Sequence, residues 1–350
     1  MIYSDLKGHA AQLGRFASIR EGAPAPSDRI LVQAYDGELK FVAGCDYDES
    51  SASLIVKAGP TNTNGKALVN ARTFLSAAKS LRGKGEIDFE ITPTGCTMRT
   101  NEGGEIMLGN VDTRMPDILP PRANAEPYVA PKGFLDQAAR LLGATTSMAV
   151  SAWRQVGLEV KADALYLRGG DSFMYTSLEI PQASDRDVYG SLSPEFLDAV
   201  RTFDGETSLI VGETQLVVEQ GPYKATTSYM ERFPRLPMPP KTALPDTYMK
   251  MPRKAFLEAV KTLTDEKVSL NVTPRDAVLA GWPELTTSLT LKADTYGRGR
   301  MAVMRDRLAK LASAFTGDTI TVAWNSEETG PARLWGESAV CFLATIPLME

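Results

Sequence analysis

The sequence predicts an α+β protein of three similar domains, each built from two helix-plus-strands halves. Three observations carry that reading. A single pattern recurs three times along the 350 residues: an apolar helix stripe, a Gly, alternating strands, and an aliphatic or aromatic residue followed by Pro. The copies are a domain apart, with 122 residues from Phe74 to Phe196 and 112 from Gly205 to Gly317; a solenoid unit would take roughly 20–50. Each third also opens on a helical stripe of its own, which gives six helices.

In chain order, the first helix is the weakest, with Leu6, Ala10, Leu13 and Phe16 on one face. Ala58-Gly59-Pro60 reads as a turn. The second helix runs Ala71-Arg72-Thr73-Phe74-Leu75-Ser76-Ala77-Ala78-Lys79-Ser80-Leu81-Arg82, stops at Gly83, and its copy closes at Met115-Pro116. Glu86-Ile87-Asp88-Phe89-Glu90-Ile91 alternates polar and apolar, the mark of a strand with one buried face. A proline-rich joint at residues 119–127 divides the first domain, 1–121, from the second, 122–240. There the stripe Phe134, Ala138, Leu141 and Leu142 predicts the third helix, and Arg168-Gly169-Gly170-Asp171 a turn. Residues 193–203 give the fourth helix, ended by Asp204-Gly205, and that copy closes at Phe233-Pro234. Another stiff joint, Pro237-Met238-Pro239-Pro240-Lys241, leads into the third domain, 241–350. Its helices rest on Phe256, Val260 and Leu263, and on residues 304–315 before Gly317. Thr319-Ile320-Thr321-Val322-Ala323-Trp324 again alternates, and the last copy closes at Ile346-Pro347. Joints this short and proline-rich hold their neighbours at a fixed angle.

With 43% hydrophobic and 23% charged residues the chain is a folded protein rather than a disordered one. The N-terminus lacks the pattern of a signal peptide and no stretch approaches about 18 apolar residues, so the cytoplasm is the expected compartment. Cys45, Cys96 and Cys341 are scattered, which predicts neither a disulfide framework nor a metal site. Any Ser-His-Asp, Cys-His or multi-histidine centre would have to be built on His9, the single histidine. Within a helix pattern, a solvated or capping role is expected for it. Gly59 to Lys66 has the wrong spacing for a nucleotide-binding loop, and Ala67 stands where a Mg²⁺-binding hydroxyl would be. No cofactor is expected.

Charge is partitioned. The six helix windows hold 15 Lys and Arg against 6 Asp and Glu, while the rest of the chain holds 23 against 37. Helices lining a common channel would then attract a phosphate backbone that the acidic body repels. Alternatively, Lys and Arg are good helix formers and simply populate solvated faces. The fourth helix, with Glu195 and Asp198 against Arg201, is acidic and speaks for the second option.

Three such domains, with Tyr229-Met230-Glu231-Arg232-Phe233-Pro234 closing the second and Ile346-Pro347-Leu348-Met349-Glu350 ending the third, resemble the bacterial replicative sliding clamp, the beta subunit of DNA polymerase III. Ala130-Pro131-Lys132 and Met251-Pro252-Arg253-Lys254 are similar to the openings of its later domains. The resemblance spans the chain at low identity, and fits a bacterial or a bacteriophage source. It implies DNA-clamp domains in a ring, with inner helices and outer sheets, closed by a head-to-tail homodimer. Such a ring encircles double-stranded DNA, slides without reading sequence, tethers the replicative DNA polymerase, is opened by a clamp-loader ATPase, and is no enzyme.

On that resemblance the DNA-lining candidates are Arg15, Arg20, Arg72, Lys79, Arg82, Lys132, Arg140, Arg201, Arg253, Lys254, Lys261, Arg305, Arg307 and Lys310. Long cationic stems suit sliding, because phosphate contacts carry no sequence register. The resemblance also implies a pocket for partners' short apolar peptides, walled by Gly170, Ser172, Phe173, Met174, Tyr175, Pro234 and Met238 and completed by Ile346, Pro347, Leu348 and Met349. Here the chain departs from the family, which has Thr-Asp-Gly-His-Arg-Leu for Gly170-Asp171-Ser172-Phe173-Met174-Tyr175 and commonly ends Met-Arg-Leu. A clamp-like scaffold for recombination, repair or late transcription would show the same charge partition. An enzyme reading, with Ser172 as a hydrolase nucleophile, has no downstream histidine to support it.

Overall fold

In the computed structural model the described residues are 1–17, 28–47, 50–61, 64–81, 85–111, 125–146, 154–171, 173–203, 205–230, 245–284, 287–326, 330–336 and 340–346. The expected domain boundaries at 121/122 and 240/241, and the closing Met115-Pro116 and Phe233-Pro234, lie outside them. Along the first third run α1 (Tyr3–Phe16), β1 (Arg29–Tyr35), β2 (Glu38–Tyr47), β3 (Ser50–Pro60), β4 (Gly65–Asn70), α2 (Ala71–Ser80), β5 (Ile87–Thr92), β6 (Gly95–Thr100) and β7 (Glu105–Gly109). The second carries β8 (Tyr128–Ala130), α3 (Phe134–Thr146), β9 (Val156–Lys161), β10 (Ala164–Gly170), β11 (Met174–Pro181), β12 (Val188–Leu192), α4 (Pro194–Val200), β13 (Thr207–Val211), β14 (Gln215–Gln220) and β15 (Tyr223–Ser228). The third carries β16 (Thr247–Pro252), α5 (Arg253–Thr262), β17 (Lys267–Val272), β18 (Ala277–Trp282), β19 (Ser288–Leu291), β20 (Asp294–Tyr296), β21 (Gly299–Met304), α6 (Arg305–Ala314), β22 (Thr319–Trp324), β23 (Ala332–Trp335) and β24 (Val340–Leu343).

These elements gather into two compact units, residues 1–135 with 195–231, and 136–194 with 232–350. In the first unit an eight-stranded sheet has the order β4-β1-β2-β3-β15-β14-β13-β8, and β5-β6-β7 form a separate sheet. The second unit holds a nine-stranded sheet, β12-β9-β10-β11-β24-β23-β22-β16-β20, and a four-stranded one, β19-β18-β17-β21. In each large sheet one antiparallel pair joins strands from different thirds of the chain. Leu54 of β3 faces Ala225 of β15, and Met174 of β11 faces Leu343 of β24.

The helices form where the stripes predict them and bury those stripes. Phe16, Phe74, Phe196 and Phe256 are all fully buried. On α2, Asn70 caps the start by accepting from the Thr73 amide at 3.1 Å. Two helix pairs are tied reciprocally, as two copies of one half would be. Tyr3 N donates to Gly85 O at 3.1 Å and Ala71 N to Asp28 O at 2.9 Å. In the last third Arg253 N donates to Asp318 O at 2.8 Å and Arg305 N to Glu266 O at 2.9 Å. Each helix thus begins on the segment that follows its partner helix.

Three sequence expectations are corrected. Ala58-Gly59-Pro60 is no turn: β3 runs through it, with Gly59 opposite Leu39 and Lys57 opposite Lys40, so Ala58 is the extra residue of a bulge. Gly59 has φ +138°, which a glycine tolerates. Arg168, Gly169 and Gly170 are strand, and the turn begins at Asp171. A Cβ on Gly169 would lie 3.0 Å from Leu142 Cδ2 and 3.1 Å from Thr146 Cγ2, so this glycine admits α3 against the sheet. His9 is buried rather than solvated, its Nδ1 3.2 Å from the Tyr223 hydroxyl of β15.

Candidate nucleic-acid interface and partner pocket

The cations of the basic helix faces differ in exposure and in their partners. On α2, Arg72, Ser76 and Lys79 are exposed at i, i+4 and i+7, opposite the buried Phe74, Leu75 and Ala78. α5 repeats the arrangement with Lys254, Glu258 and Lys261 outward and Phe256 and Val260 inward. Lys7 stands exposed on α1, its ammonium 4.6 Å over the Tyr3 ring. Sequence reasoning passes over Lys7, although its place opposite the Leu6 and Leu13 stripe is the available signal. Arg140 is exposed on α3 and held by Asp136 at 2.7 Å. Such a solvated pair is worth about 0–1 kcal/mol, a weak competitor for a phosphate. Lys132 is exposed in the turn that precedes α3 rather than on the helix.

Other guanidiniums bond to the protein itself, some of them at its surface. Arg253 donates from Nε to Gly317 O at 3.0 Å and from Nη1 to Ala312 O at 3.5 Å, at the end of α6. Arg305 returns the arrangement, with Nη1 on Leu263 O at 2.8 Å at the end of α5 and two further bonds to Asp306 Oδ1. Each satisfies carbonyls that a helix end leaves open. Arg15 reaches Asp198 O at 3.1 Å, and Arg201, just past α4, reaches Asp198 Oδ1 at 3.2 Å. Lys310 is half-buried on α6. Arg20 and Arg82 lie outside the described residues.

Arg307 belongs to a different place, the turn from β10 to β11. Asp171 organises that turn: its Oδ1 accepts from Phe173 N at 2.7 Å and Met174 N at 2.6 Å. Its Oδ2 holds Arg307 Nη1 at 2.6 Å, with the two side chains only 15% and 6% exposed for Arg307 and Asp171. A pair this buried is costly to break, since either charge would be left alone. The Arg307 guanidinium also lies 4.2 Å over the Phe173 ring, which is itself 52% exposed.

The segment just after β24 comes to the same turn. Ala344 N donates to Phe173 O at 2.8 Å, and Ile346 N to Ala302 O at 2.8 Å. Tyr175 lies opposite Phe342 of β24, the ring centroids 6.1 Å apart. Burial pushes the Tyr175 phenol up to about 12. At Gly170 a Cβ would meet Met174 O at 2.6 Å, so no other residue fits beside this turn. Met174 alternates to the opposite face and is buried in the core. Gly170, Phe173 and Tyr175 are therefore brought together with the segment leading to Ile346. Ser172, Pro234, Met238, Pro347, Leu348 and Met349 lie outside the described residues. Among the described residues no cluster of His, Cys, Asp or Glu could hold a metal, and no helix is long and apolar enough to cross a membrane.

The fold itself has solved counterparts. Over 99% of this chain and 98% of the other, the structure matches a sliding clamp (DNA polymerase III subunit beta) from Pseudomonas aeruginosa solved with griselimycin, with a TM-score of 0.77 at 14% identity. The chain has the sliding-clamp fold. The beta subunit from Thermotoga maritima matches with a TM-score of 0.76 at 12% identity, over 100% of this chain and 99% of that one. The sliding clamp from Bacillus subtilis does so with 0.76 at 14%, over 100% and 98%. No family model and no curated protein matches the sequence. These sliding clamps are bacterial, which lends a bacteriophage source no support. Sequence reasoning passes over Asp171 and Phe342 at the turn, and it names Arg307 as a DNA-lining candidate without its partner Asp171. Only three-dimensional proximity ties residue 307 to residue 171.

Proposed function

We propose that the protein is a DNA sliding clamp: two copies close head to tail around duplex DNA, slide on it, and tether a replicative polymerase and other DNA enzymes. A separate ATP-driven loader opens the ring, and the protein itself makes and breaks no bond. The pattern of strand edges supports this reading most. β3, the third strand after the first helix of its third, pairs with β15, the third strand after the second helix of the next. β11 and β24 hold the corresponding places in the following thirds and also pair. By the same rule β19 calls for β7, and each is the outer strand of its small sheet among the described residues. A second copy supplies both missing partners at once, β7 of each protomer against β19 of the other. Domains 1–121, 122–240 and 241–350 are then the repeating units, six to a ring.

Lys7, Arg72, Lys79, Lys132, Arg140, Lys254 and Lys261 are the cations this reading assigns to phosphate. Partner peptides dock at Gly170, Phe173, Tyr175 and the segment from Ile346 to the chain's end. Light scattering across a dilution series, followed by retention on circular against linearised DNA, tests the proposal. A mass near twice 38.0 kDa and retention only on the closed circle are expected. A strict monomer with equal retention on both substrates would refute it. The departure at Gly170-Asp171-Ser172-Phe173-Met174-Tyr175 favours, as a second reading, a clamp-like scaffold for recombination, repair or late transcription. Stimulation of processive synthesis by the replicative polymerase separates the two.

A further inference from the structure

Arg168 presents a buried donor edge with nothing to bind. It stands on β10 and is 4% exposed. By strand alternation it shares a sheet face with Gly170, and Ser177 and Tyr175 of β11 are their register partners. Its Nη1 is bonded to Glu159 Oε2 of β9, and its plane lies 4.6 Å from the Tyr166 ring centroid. Nε and Nη2, the other edge of the same guanidinium, are buried and have no partner. The Tyr175 hydroxyl, on the same sheet face, is buried without a bonding partner too, although Ser177 lies close enough to favour its ionised form.

Glu159 cannot supply what is missing. Its other oxygen, Oε1, already holds Lys161 Nζ at 2.9 Å. Lys161 and Arg168 thus share this one carboxylate. A buried donor left unbonded loses the whole of its hydration without return. The Nε and Nη2 edge of an arginine is the fork that takes a carboxylate through two parallel bonds.

We propose that the free edge of Arg168, with the Tyr175 hydroxyl, is a carboxylate subsite in the floor of the partner pocket, filled by an Asp or Glu side chain of the bound peptide. This rests on the pocket reading above. The half-buried Tyr175 ring, packed over Gly170, is the group that turns to admit the acid. Phe173 next to it takes the peptide's apolar anchors. Partner motifs for this chain therefore carry one acidic residue at a set spacing from the apolar ones, a requirement imposed by Arg168 and Tyr175.

Random twelve-residue peptide display on the full chain, with the selected sequence then made in fluorescein-labelled form, tests this. Wild type should enrich one acidic position, and changing it to Asn or Gln should weaken binding at least about tenfold. On Arg168→Gln the acidic and neutral peptides should bind alike, with the neutral one at its wild-type affinity, which also reports that the variant is folded. Tyr175→Phe should weaken the acidic peptide alone. C-terminal amidation should change nothing; loss of binding on amidation would assign the subsite to a terminal carboxylate and overturn the side-chain claim. Selection without an acidic preference, or a preference that survives Arg168→Gln, would also overturn it. The pocket reading stands or falls separately: Phe173→Ala and deletion of residues 348–350 should weaken both peptides, whatever Arg168 does.

Discussion

At position 9, α1 buries an imidazole that the sequence gives no reason to hide. Burial lowers the His9 pKa below its ordinary 6.5, against a smaller upward pull from Asp5. The unfolded chain therefore takes up a proton near pH 6.5 that the folded protein resists. Stability from this residue is full above that pH and falls as the pH drops below it. His9→Gln should flatten the decline of melting temperature between pH 7 and pH 5 relative to wild type. The arginines divide just as sharply. Arg253→Met or Arg305→Met uncovers helix-end carbonyls and should cost about 1–2 kcal/mol in urea unfolding. Lys254→Met, on an exposed face beside the first of them, should stay within about 0.5 kcal/mol.

Helix faces set the next scale. Lys79→Glu, Lys254→Glu and Lys261→Glu together leave the buried stripes of α2 and α5 intact, so melting temperature and oligomeric mass should hold. Retention on circular DNA should fall, and the slope of log affinity against log salt should flatten by about one for each phosphate no longer neutralised. These helices are legible because Phe74 and Ala78, or Phe256 and Val260, repeat at the helical period, and burial follows that period directly. The sequence misleads where Gly and Pro answer to distant neighbours. Gly59 serves a bulge whose other strand is β2, and Gly169 makes room for Leu142 and Thr146 of α3. Neither neighbour is adjacent in sequence, so both glycines read as turns. At the turn from β10 to β11, the resemblance names Gly170, Phe173 and Tyr175 together, and the structure places them side by side. The ion pair between Asp171 and Arg307 is not, because 136 residues separate its ends.

For the whole molecule the open question is what covers β7 and β19. Met107 of β7 is 64% exposed and Thr290 of β19 is exposed; a lysine on an edge strand resists pairing with another chain. Met107→Lys and Thr290→Lys should each raise the concentration at which the 38.0 kDa protomer doubles its mass, by about tenfold, without shifting the far-ultraviolet circular dichroism of the protomer. The same arrangement of edges has a consequence for how the chain is made. β3 ends at residue 60 and its partner β15 begins at 223, while β11 ends at 181 and β24 begins at 340. At about 5–20 residues per second, each edge leaves the ribosome roughly 10–30 s before the strand that will cover it has been synthesised. The nascent protein thus carries a naked strand through most of its translation, and one polysome sets many such strands side by side.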